Sequence, residues 1–317
     1  ISWLINAVLI LLAARRYRRY FEARGVDLVC TKGLFAHFYG ALAARWCGIP
    51  CVMHVQDLIS RRAGGIYSRA FAAFARWASH HTIVDGGPIR AQLIPYLKPE
   101  QITVIHNGVD LNTFSPKVDG SPVRREWNIA HDEILIGNIA RITAWKGQDH
   151  LVNAFAKIAA RFPKTKLVLV GSPVFTGDRF EQRLHQLVKD LQLTERVIFA
   201  GYRWDLPQVL AALDIFVHCS VEKDTSPLAV VSAMAAGKPI LTTNVEGVAE
   251  LLVPDEEAIL VEPGNADALA AGLTTMLSDP VLLSKLGHAA RAKAEAELAL
   301  EQFTRRCEAV FTKVLAL

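Results

Sequence analysis

The chain has 317 residues, of which 51% are hydrophobic and 21% are charged. This composition excludes a disordered chain, and the length is sufficient for two domains of ordinary size. The 35 basic and 31 acidic residues leave a formal net charge of +4, and this mild excess argues against a nucleic-acid-binding protein. The five cysteines are odd in number and lie mostly in apolar runs, which favours free thiols in a reducing, cytoplasmic compartment and gives no support for a zinc site.

An apolar run opens the chain. Residues 1–13 read ISWLINAVLILLA and are followed by Arg15, Arg16, Arg18 and Arg19. The run is shorter than the roughly 20 residues that span a bilayer, and a signal peptide would carry its positive charges before the run. Two interpretations stay open: a core helix in a chain whose beginning is absent, or a helix that rests on an anionic membrane surface.

Short buried strands then alternate with helices. The strands are predicted at Val26–Cys30, Pro50–Val55, His81–Val84 and Ile102–Ile105, and the helices between them include Phe35–Trp46 and Ile66–Ser79. Such alternation predicts a parallel sheet covered on both sides, here over residues 1–115. The segment Asn112–Arg125, with two prolines and a glycine, is predicted to be the linker to a second domain.

The same alternation continues over residues 125–298. Strands are predicted at Ile134–Ile139, Lys166–Gly171, Val197–Gly201, Ile215–Cys219, Pro239–Thr243 and Ile259–Val261, with helices at Gly147–Arg161, Phe180–Leu191, Leu206–Leu213, Pro227–Ala236 and Ala266–Leu277. This pattern predicts a doubly wound, Rossmann-like domain. The last helix, Glu301–Leu315, has no strand after it, so residues 299–317 are predicted to pack back on the first domain.

Two cations follow the strand at Ile134–Ile139, in the sequence IGNIARITAWKG. The loop at the carboxyl end of a parallel strand faces the ligand crevice of an open α/β sheet. An Arg fork at position 141 and a Lys point charge at position 146 therefore suit a diphosphate. Two solvated surface cations are the alternative. As diphosphate ligands both side chains are expected to face a cleft, so that replacing Arg141 or Lys146 should leave thermal stability nearly unchanged.

Two further loops are predicted at the same edge of the sheet. Gly171 follows the strand LVLV, where a missing side chain permits close backbone approach. In the segment after Cys219, Ser226 and Pro227 are typical of a helix start, whose free amides attract anions. Glu222 and Asp224 lie just before it and can accept hydrogen bonds from sugar hydroxyls. Together these groups indicate a nucleotide sugar, while no GxxxxGK[ST] or strand-linked GxGxxG supports an ATPase or a nicotinamide enzyme.

At this point the sequence resembles a known family, the retaining family 4 glycosyltransferases. The resemblance is carried by His106–Asp110 (HNGVD), Gly137–Gly147 (GNIARITAWKG), Leu167–Pro173 (LVLVGSP), Val197–Asp224 and Ala233–Leu252 (AMAAGKPILTTNVEGVAELL), in the family's order and spacing. The family implies an α/β fold of the GT-B type, with two Rossmann-like doubly wound parallel-sheet domains facing a cleft. It also implies that some tens of residues, including a glycine-rich loop, precede Ile1.

The resemblance assigns residues to the donor. Arg141 and Lys146 fall on the pair that grips the donor diphosphate and stabilises the leaving group, so that no metal ion is needed. The family's two glutamates fall on Asp224, expected at the donor sugar, and Ser232, expected as a weakened ribose contact. The remaining donor-binding positions implied are Gly171, Glu222, Leu228 and Ala229.

On the acceptor side this chain departs from its relatives. Many relatives carry histidines where Lys32 and Gln56 stand here. His54 lies two residues before Gln56 and shares its strand face by alternation. Lys32, His54 and Gln56 are therefore the candidate acceptor-side residues, with a core role for His54 as the alternative.

These observations predict a retaining, metal-independent glycosyltransferase. It would move a sugar from a nucleoside-diphosphate sugar to a glycan or lipid-linked acceptor. No cofactor is implied besides this donor substrate. The implied setting is cytoplasmic, with peripheral contact at an anionic membrane. Two alternatives stay open: a non-hydrolysing nucleotide-sugar epimerase, and a degenerate transferase-like protein that binds a nucleotide without turnover.

Overall fold

The computed structural model describes residues 2–59, 65–173 and 179–316. The chain forms two compact units, one made of Ile1–His106 with Glu301–Leu317 and the other of Asn107–Leu300. Residues 107–115, which the sequence pattern assigned to the first domain, therefore belong to the second unit.

The first unit contains a four-stranded parallel sheet with helices between the strands. Its elements in chain order are α1 (Ser2–Arg24), β1 (Val29–Lys32), α2 (Leu34–Cys47), β2 (Cys51–Val55), α3 (Ile66–Ala78), β3 (His81–Val84), α4 (Gly87–Leu93) and β4 (Ile102–Val104). The strands lie in the order β1-β2-β3-β4. The four strands were predicted with shifts of up to three residues, whereas α4 was not predicted.

The second unit contains a six-stranded parallel sheet. Its elements are α5 (Ser121–Glu126), β5 (Ile134–Ile139), α6 (Gln148–Ala159), β6 (Thr165–Val170), α7 (Arg179–Asp190), β7 (Val197–Gly201), α8 (Leu206–Ala212), β8 (Ile215–His218), α9 (Leu228–Ala235), β9 (Ile240–Thr243), β10 (Ala258–Val261), α10 (Ala266–Ser278) and α11 (Pro280–Glu297). The strand order is β10-β9-β8-β5-β6-β7. All six strands were predicted, but α11 was missed and α5 occupies part of the predicted linker.

The central strands of this second sheet are covered on both faces. Every residue of β8 and of β9 is buried, as expected for the continuous apolar runs of parallel sheets. Just before β9, the ammonium of half-buried Lys238 donates to the carbonyl oxygens of Ala211 at 2.9 Å and Leu213 at 2.8 Å. The cation thereby joins the end of α8 to the start of β9.

The last helix, α12 (Leu300–Leu315), lies on the first unit. Its buried residues Cys307, Val310 and Val314 pack against Val52 of β2 and Ile83 of β3. Helices α2 and α3 contribute to a separate apolar core with other residues of the same strands. The sheet of the first unit is therefore covered on both faces.

Helix α1 does not have the burial of a core helix. Ala14 and Phe21 are buried, whereas Val8, Leu9 and Leu12 are each more than half exposed. This face of α1 is therefore not part of the core of the described chain, whereas Ala14 and Phe21 belong to the apolar core of the first unit. Within the described residues, no helix combines the length and apolar character needed to cross a bilayer.

Candidate active site

The predicted donor residues lie on neighbouring loops at one edge of the second sheet. Strands β9, β8, β5 and β6 are consecutive in the sheet, and parallel strands bring their carboxyl ends to the same edge. Arg141 and Lys146 follow β5, Gly171 follows β6, and Asp224 follows β8. The topology thus brings together three segments that are up to 83 residues apart in the sequence.

Three glycines allow these loops to pack closely against one another. A Cβ atom on Gly171 would overlap with the carbonyl oxygen of Ala140, one on Gly147 with that of Cys219, and one on Gly247 with that of Asp224. Each of the three glycines also has a positive φ, between 68° and 138°, which residues with a side chain rarely adopt. The loops after β6, β5, β8 and β9 therefore make backbone contacts with one another that only glycine permits.

Lys146 is the central cation of the site. It ends a 3₁₀ turn over Ala144–Lys146, and its ammonium forms an ion pair with the Asp224 carboxylate. The ammonium also lies 4.1 Å from the centre of the Trp145 ring. The Lys146 residue is only 9% exposed, so the alternative of a solvated surface cation is wrong for Lys146. Burial follows from the ion pair, which provides the partner that a covered charge requires.

The two oxygens of Asp224 have different surroundings. Oδ2 accepts from the Lys146 ammonium, from His218 Nε2 at 3.0 Å and from the Ser220 hydroxyl at 3.3 Å. Oδ1 has no hydrogen-bond partner among the described residues. Burial by itself would raise the pKa of Asp224, but the hydrogen bond from His218 and the charge of Lys146 outweigh it and hold the pKa below its ordinary value. The carboxylate is thus ionised, anchored through one oxygen and open at the other.

His218 was not identified from the sequence, although it supports Asp224 from within the sheet. Its ring is buried at the end of β8, with Nδ1 3.1 Å from the Thr242 hydroxyl on β9. Burial lowers the pKa of His218 and outweighs the opposite effect of Asp224, so the ring is neutral. A neutral ring that donates from Nε2 to Asp224 has an acceptor at Nδ1. The Thr242 hydroxyl has one hydrogen and two acceptors within reach, this Nδ1 and the Thr243 carbonyl oxygen at 3.2 Å. The only sequence signal was a polar residue at the end of a buried strand.

Arg141 differs from Lys146 in being exposed. Its guanidinium lies 5.6 Å from the centre of the Trp145 ring and forms no ion pair with a described acidic residue. Its backbone is fixed, because Gln148 Nε2 donates to the Arg141 carbonyl oxygen at 2.9 Å. The site therefore presents one cation held by a carboxylate and a second that is available to an anion.

The helix start near Asp224 differs from the prediction. Helix α9 begins at Leu228, and Ser226 does not cap it. Ser226 instead has a φ of 70°, and its hydroxyl accepts from the backbone N–H of Asn107 at 2.9 Å. The predicted cap is wrong because this tertiary contact takes the hydroxyl. Of the other predicted donor residues, Glu222 and Leu228 are exposed, and Ala229 and Ser232 are half-buried.

The predicted acceptor-side residues divide into two groups. His54 is buried with Nε2 2.7 Å from Asp85 Oδ1, and Gln56 donates from Nε2 to Asp85 Oδ2 at 3.1 Å. His54 and Gln56 thus share one carboxylate on one face of the sheet, which gives His54 a clear structural contact. Lys32 is exposed at the end of β1, where it is the register neighbour of His54 on β2 without sharing the Asp85 carboxylate. Among the described residues no three His, Cys, Asp or Glu side chains are grouped so that they could hold a metal ion.

A pocket of about 330 Å³ opens at the carboxyl edge of the first sheet. It lies between the starts of α2 and α3, and most of its lining is apolar, including Leu34, Phe38 and Phe71. One polar member was missed by sequence reasoning: His37, which is 3% exposed, has Nδ1 2.9 Å from the Thr31 hydroxyl. Burial lowers the pKa of His37 to about 4, so its ring is neutral near pH 7.

Comparison with known proteins gives two family matches. The profile described as "Glycosyl transferases group 1" matches residues 121–293, and that of "Glycosyltransferase Family 4" matches residues 3–113. The UDP-Gal:alpha-D-GlcNAc-diphosphoundecaprenol alpha-1,3-galactosyltransferase of Escherichia coli is 25% identical over 81% of this chain and 67% of its own length. The N-acetyl-alpha-D-glucosaminyl L-malate synthase of Bacillus anthracis is 30% identical, and the match spans 69% of this chain but only 56% of that relative.

Solved structures match the chain over nearly its whole length. The crystal structure of Anabaena Alr3699/HepE in complex with UDP has a TM-score of 0.88 at 25% identity, and the match covers 95% of this chain and 82% of that one. The same protein in complex with UDP and glucose gives a TM-score of 0.86 at 26% identity, over 96% of this chain and 81% of that one. With the two parallel sheets, this likeness confirms the predicted α/β fold of the GT-B type.

Proposed function

The chain belongs to the group 1 glycosyl transferases, and from that membership we propose that it moves a sugar from a nucleoside-diphosphate donor to a glycan or lipid-linked acceptor. The proposed reaction retains the configuration at the sugar's anomeric carbon and needs no bound metal ion. Relatives support the donor class, since one is named as a UDP-galactose-dependent transferase and a similar structure contains UDP and glucose.

The open oxygen of Asp224 is the observation that supports this function most directly. A carboxylate with Oδ2 anchored by three donors and Oδ1 without a described partner is prepared to accept from a sugar hydroxyl. A hydrogen bond to a charged acceptor contributes about 1.5–3 kcal/mol. We assign Asp224 to the donor sugar and Ser232, on α9, to the ribose.

The two cations support the proposed diphosphate contact. Arg141 is exposed and fixed through its backbone, so its planar fork can bind two phosphate oxygens. Lys146 is held beside Asp224 before the donor arrives and supplies a second positive charge near the leaving group. Charge that develops on the departing diphosphate would then be stabilised by groups already in place. The remaining positions, Gly171, Glu222, Leu228 and Ala229, are proposed to shape the donor pocket.

Binding without turnover remains the second candidate. Ser232 stands where the resembled family has a glutamate, and its hydroxyl has no hydrogen-bond partner among the described residues. A hydroxyl binds a ribose more weakly than a carboxylate does. Release of UDP or GDP from a panel of nucleotide sugars distinguishes a transferase from a binding protein, and NMR of the product reports the anomeric configuration.

Isothermal titration calorimetry with UDP and GDP, each with EDTA present, tests the donor site. We expect binding in EDTA and a loss of about ten-fold to a hundred-fold in Arg141→Ala, which corresponds to one charge-assisted contact. Arg161→Ala is the matched control, because Arg161 is also exposed beside an aromatic ring in the second unit. Binding that requires magnesium or manganese, or an equal loss in the control, would contradict the assignment.

We also propose that α1 contacts an anionic membrane. Its exposed face carries Val8, Leu9 and Leu12 in the first half and Arg16 and Arg19 in the second. This arrangement would place the apolar half of α1 in contact with the bilayer and its arginines among the anionic headgroups. Each arginine near an anionic surface contributes about 1 kcal/mol, or about a five-fold change in affinity.

Vesicle co-sedimentation tests this contact. Arg16→Gln should bind phosphatidylglycerol vesicles about five-fold more weakly. Arg161→Gln is the control, because Arg161 is also an exposed arginine but lies in the second unit, and it should change binding little. Equal binding to neutral phosphatidylcholine vesicles would show that the arginines play no part.

A further inference from the structure

Large apolar side chains surround the mouth of the 330 Å³ pocket in the first unit. Leu34 and Phe35 on the first turn of α2 are 55% and 58% exposed, and Ile66 and Tyr67 on the first turn of α3 are 61% and 57% exposed. Both helices start at the carboxyl edge of the parallel sheet, where α/β domains bind their ligands. An apolar surface therefore leads from solvent into an apolar pocket.

The lining of the pocket includes a buried polar residue, His37, whose ring indicates a ligand. His37 is only 3% exposed and lines the pocket. Its Nδ1 forms a hydrogen bond with the Thr31 hydroxyl. Its Nε2 has no hydrogen-bond partner among the described residues. Ligand pockets typically combine apolar walls with a few polar groups of this kind.

The composition of the walls decides which part of a ligand fits. A sugar in this pocket would leave most of its hydroxyl groups without partners, and each such group costs free energy. A hydrocarbon chain loses nothing at the same walls and gains from each methylene removed from water. Asp57 at the margin and His37 are the polar groups that lie close enough to meet the group linked to the chain.

We propose that this pocket binds the hydrocarbon chain of a lipid-linked acceptor. The inference rests on the proposed transferase function and selects the lipid-linked class from its two acceptor classes. The chain enters past Leu34 and Tyr67 and packs against Phe38 and Phe71, while its polar linkage stays near His37.

Calorimetry with alkyl β-glucosides of increasing chain length, kept below their micelle concentrations, tests the pocket without any donor. Each added methylene should tighten binding by about three- to four-fold until the chain fills the pocket. Glucose itself should not bind measurably here. Affinity that does not depend on chain length would overturn the proposal.

Two variants separate the pocket from general surface adhesion. Leu34→Lys removes an exposed apolar side chain at the pocket mouth and should weaken octyl glucoside about five- to ten-fold. Val281→Lys is its control, since Val281 is 78% exposed and also lies on the first turn of a helix, in the second unit. Equal weakening in both variants, or in neither, would overturn the proposal.

Two further measurements identify the type of hydrocarbon chain and test the donor site separately. Geranyl phosphate and decyl phosphate distinguish an isoprenoid from a fatty chain, and a pocket that binds neither refutes the inference. UDP is titrated into the same samples. UDP binding without alkyl binding refutes the lipid pocket alone, whereas alkyl binding without UDP or GDP binding refutes the donor assignment.

Discussion

Replacing Lys146 by methionine should destabilise the second unit, although the sequence alone suggested little effect. The Lys146 and Asp224 side chains are 11% and 14% exposed, so the variant leaves a buried carboxylate without its counter-charge. Loss of one partner of a buried ion pair costs about 3–5 kcal/mol. We expect the lower end, about 3 kcal/mol, because His218 and Ser220 still donate to Asp224. The melting temperature should fall by roughly 6–12 °C for a unit of this size.

Urea unfolding and calorimetry of matched variants measure this effect. Arg141→Met removes an exposed cation from the same loop and should leave stability within about 0.5 kcal/mol of the parent. Lys146→Met with Asp224→Asn removes both charges and should recover part of the loss. If Lys146→Met were as stable as Arg141→Met, the buried ion pair would not be contributing as the structure indicates.

The pH dependence of the same variant follows from the lowered pKa of Asp224. A carboxyl with a lowered folded pKa contributes its full stability above the pKa of the unfolded group, about 3.9. That contribution is lost as pH falls through the folded pKa. The difference in unfolding free energy between the parent and Lys146→Met should therefore be largest near neutral pH and should narrow below pH 4.

Three further predictions concern the second unit. Ser232→Glu should tighten UDP or GDP binding by calorimetry, because a carboxylate accepts stronger hydrogen bonds than a hydroxyl; weaker binding in a folded variant would argue against a ribose contact. Gly247→Ala, with a φ of 94° and a blocked Cβ position, should lose about 2 kcal/mol or more in urea unfolding; an unchanged midpoint would contradict the close approach. Burial lowers the pKa of Lys238 to about 8, so the unfolded chain binds more protons and stability should rise from pH 8 to 10. Lys238→Met should lose that rise, and retention of it would assign the effect to other groups.

The fold was predictable where local pattern decides structure. The apolar run at Ile134–Ile139 became β5 with the same limits, because a strand buried on both faces needs a continuous apolar sequence. Helix α11 was missed, although Asp279 caps its start and Pro280 occupies its first turn. Its exposed residues outnumber its buried ones, so no wide apolar stripe marked it.

The site was predictable only in part, because its pairings connect distant residues. The position of Lys146 after β5 followed from the sequence, but its burial depends on Asp224, 78 residues later. His218 and Thr242 meet because β8 and β9 are neighbours in the sheet, which no local pattern reveals. Ser226 had the composition of a helix cap, yet a contact with Asn107 took its hydroxyl. Tertiary partners therefore decided what local propensity left open.

The glycine contacts between the loops of the proposed donor site also determine how this protein can vary. At Gly147, Gly171 and Gly247, any side chain would push apart two of these loops. In a saturation library selected for activity, these three positions should accept glycine alone, while exposed neighbours such as Glu222 tolerate many residues. New donor specificity would then arise by exchanging side chains on loops of fixed shape, since a reshaped loop would displace the next one along the sheet.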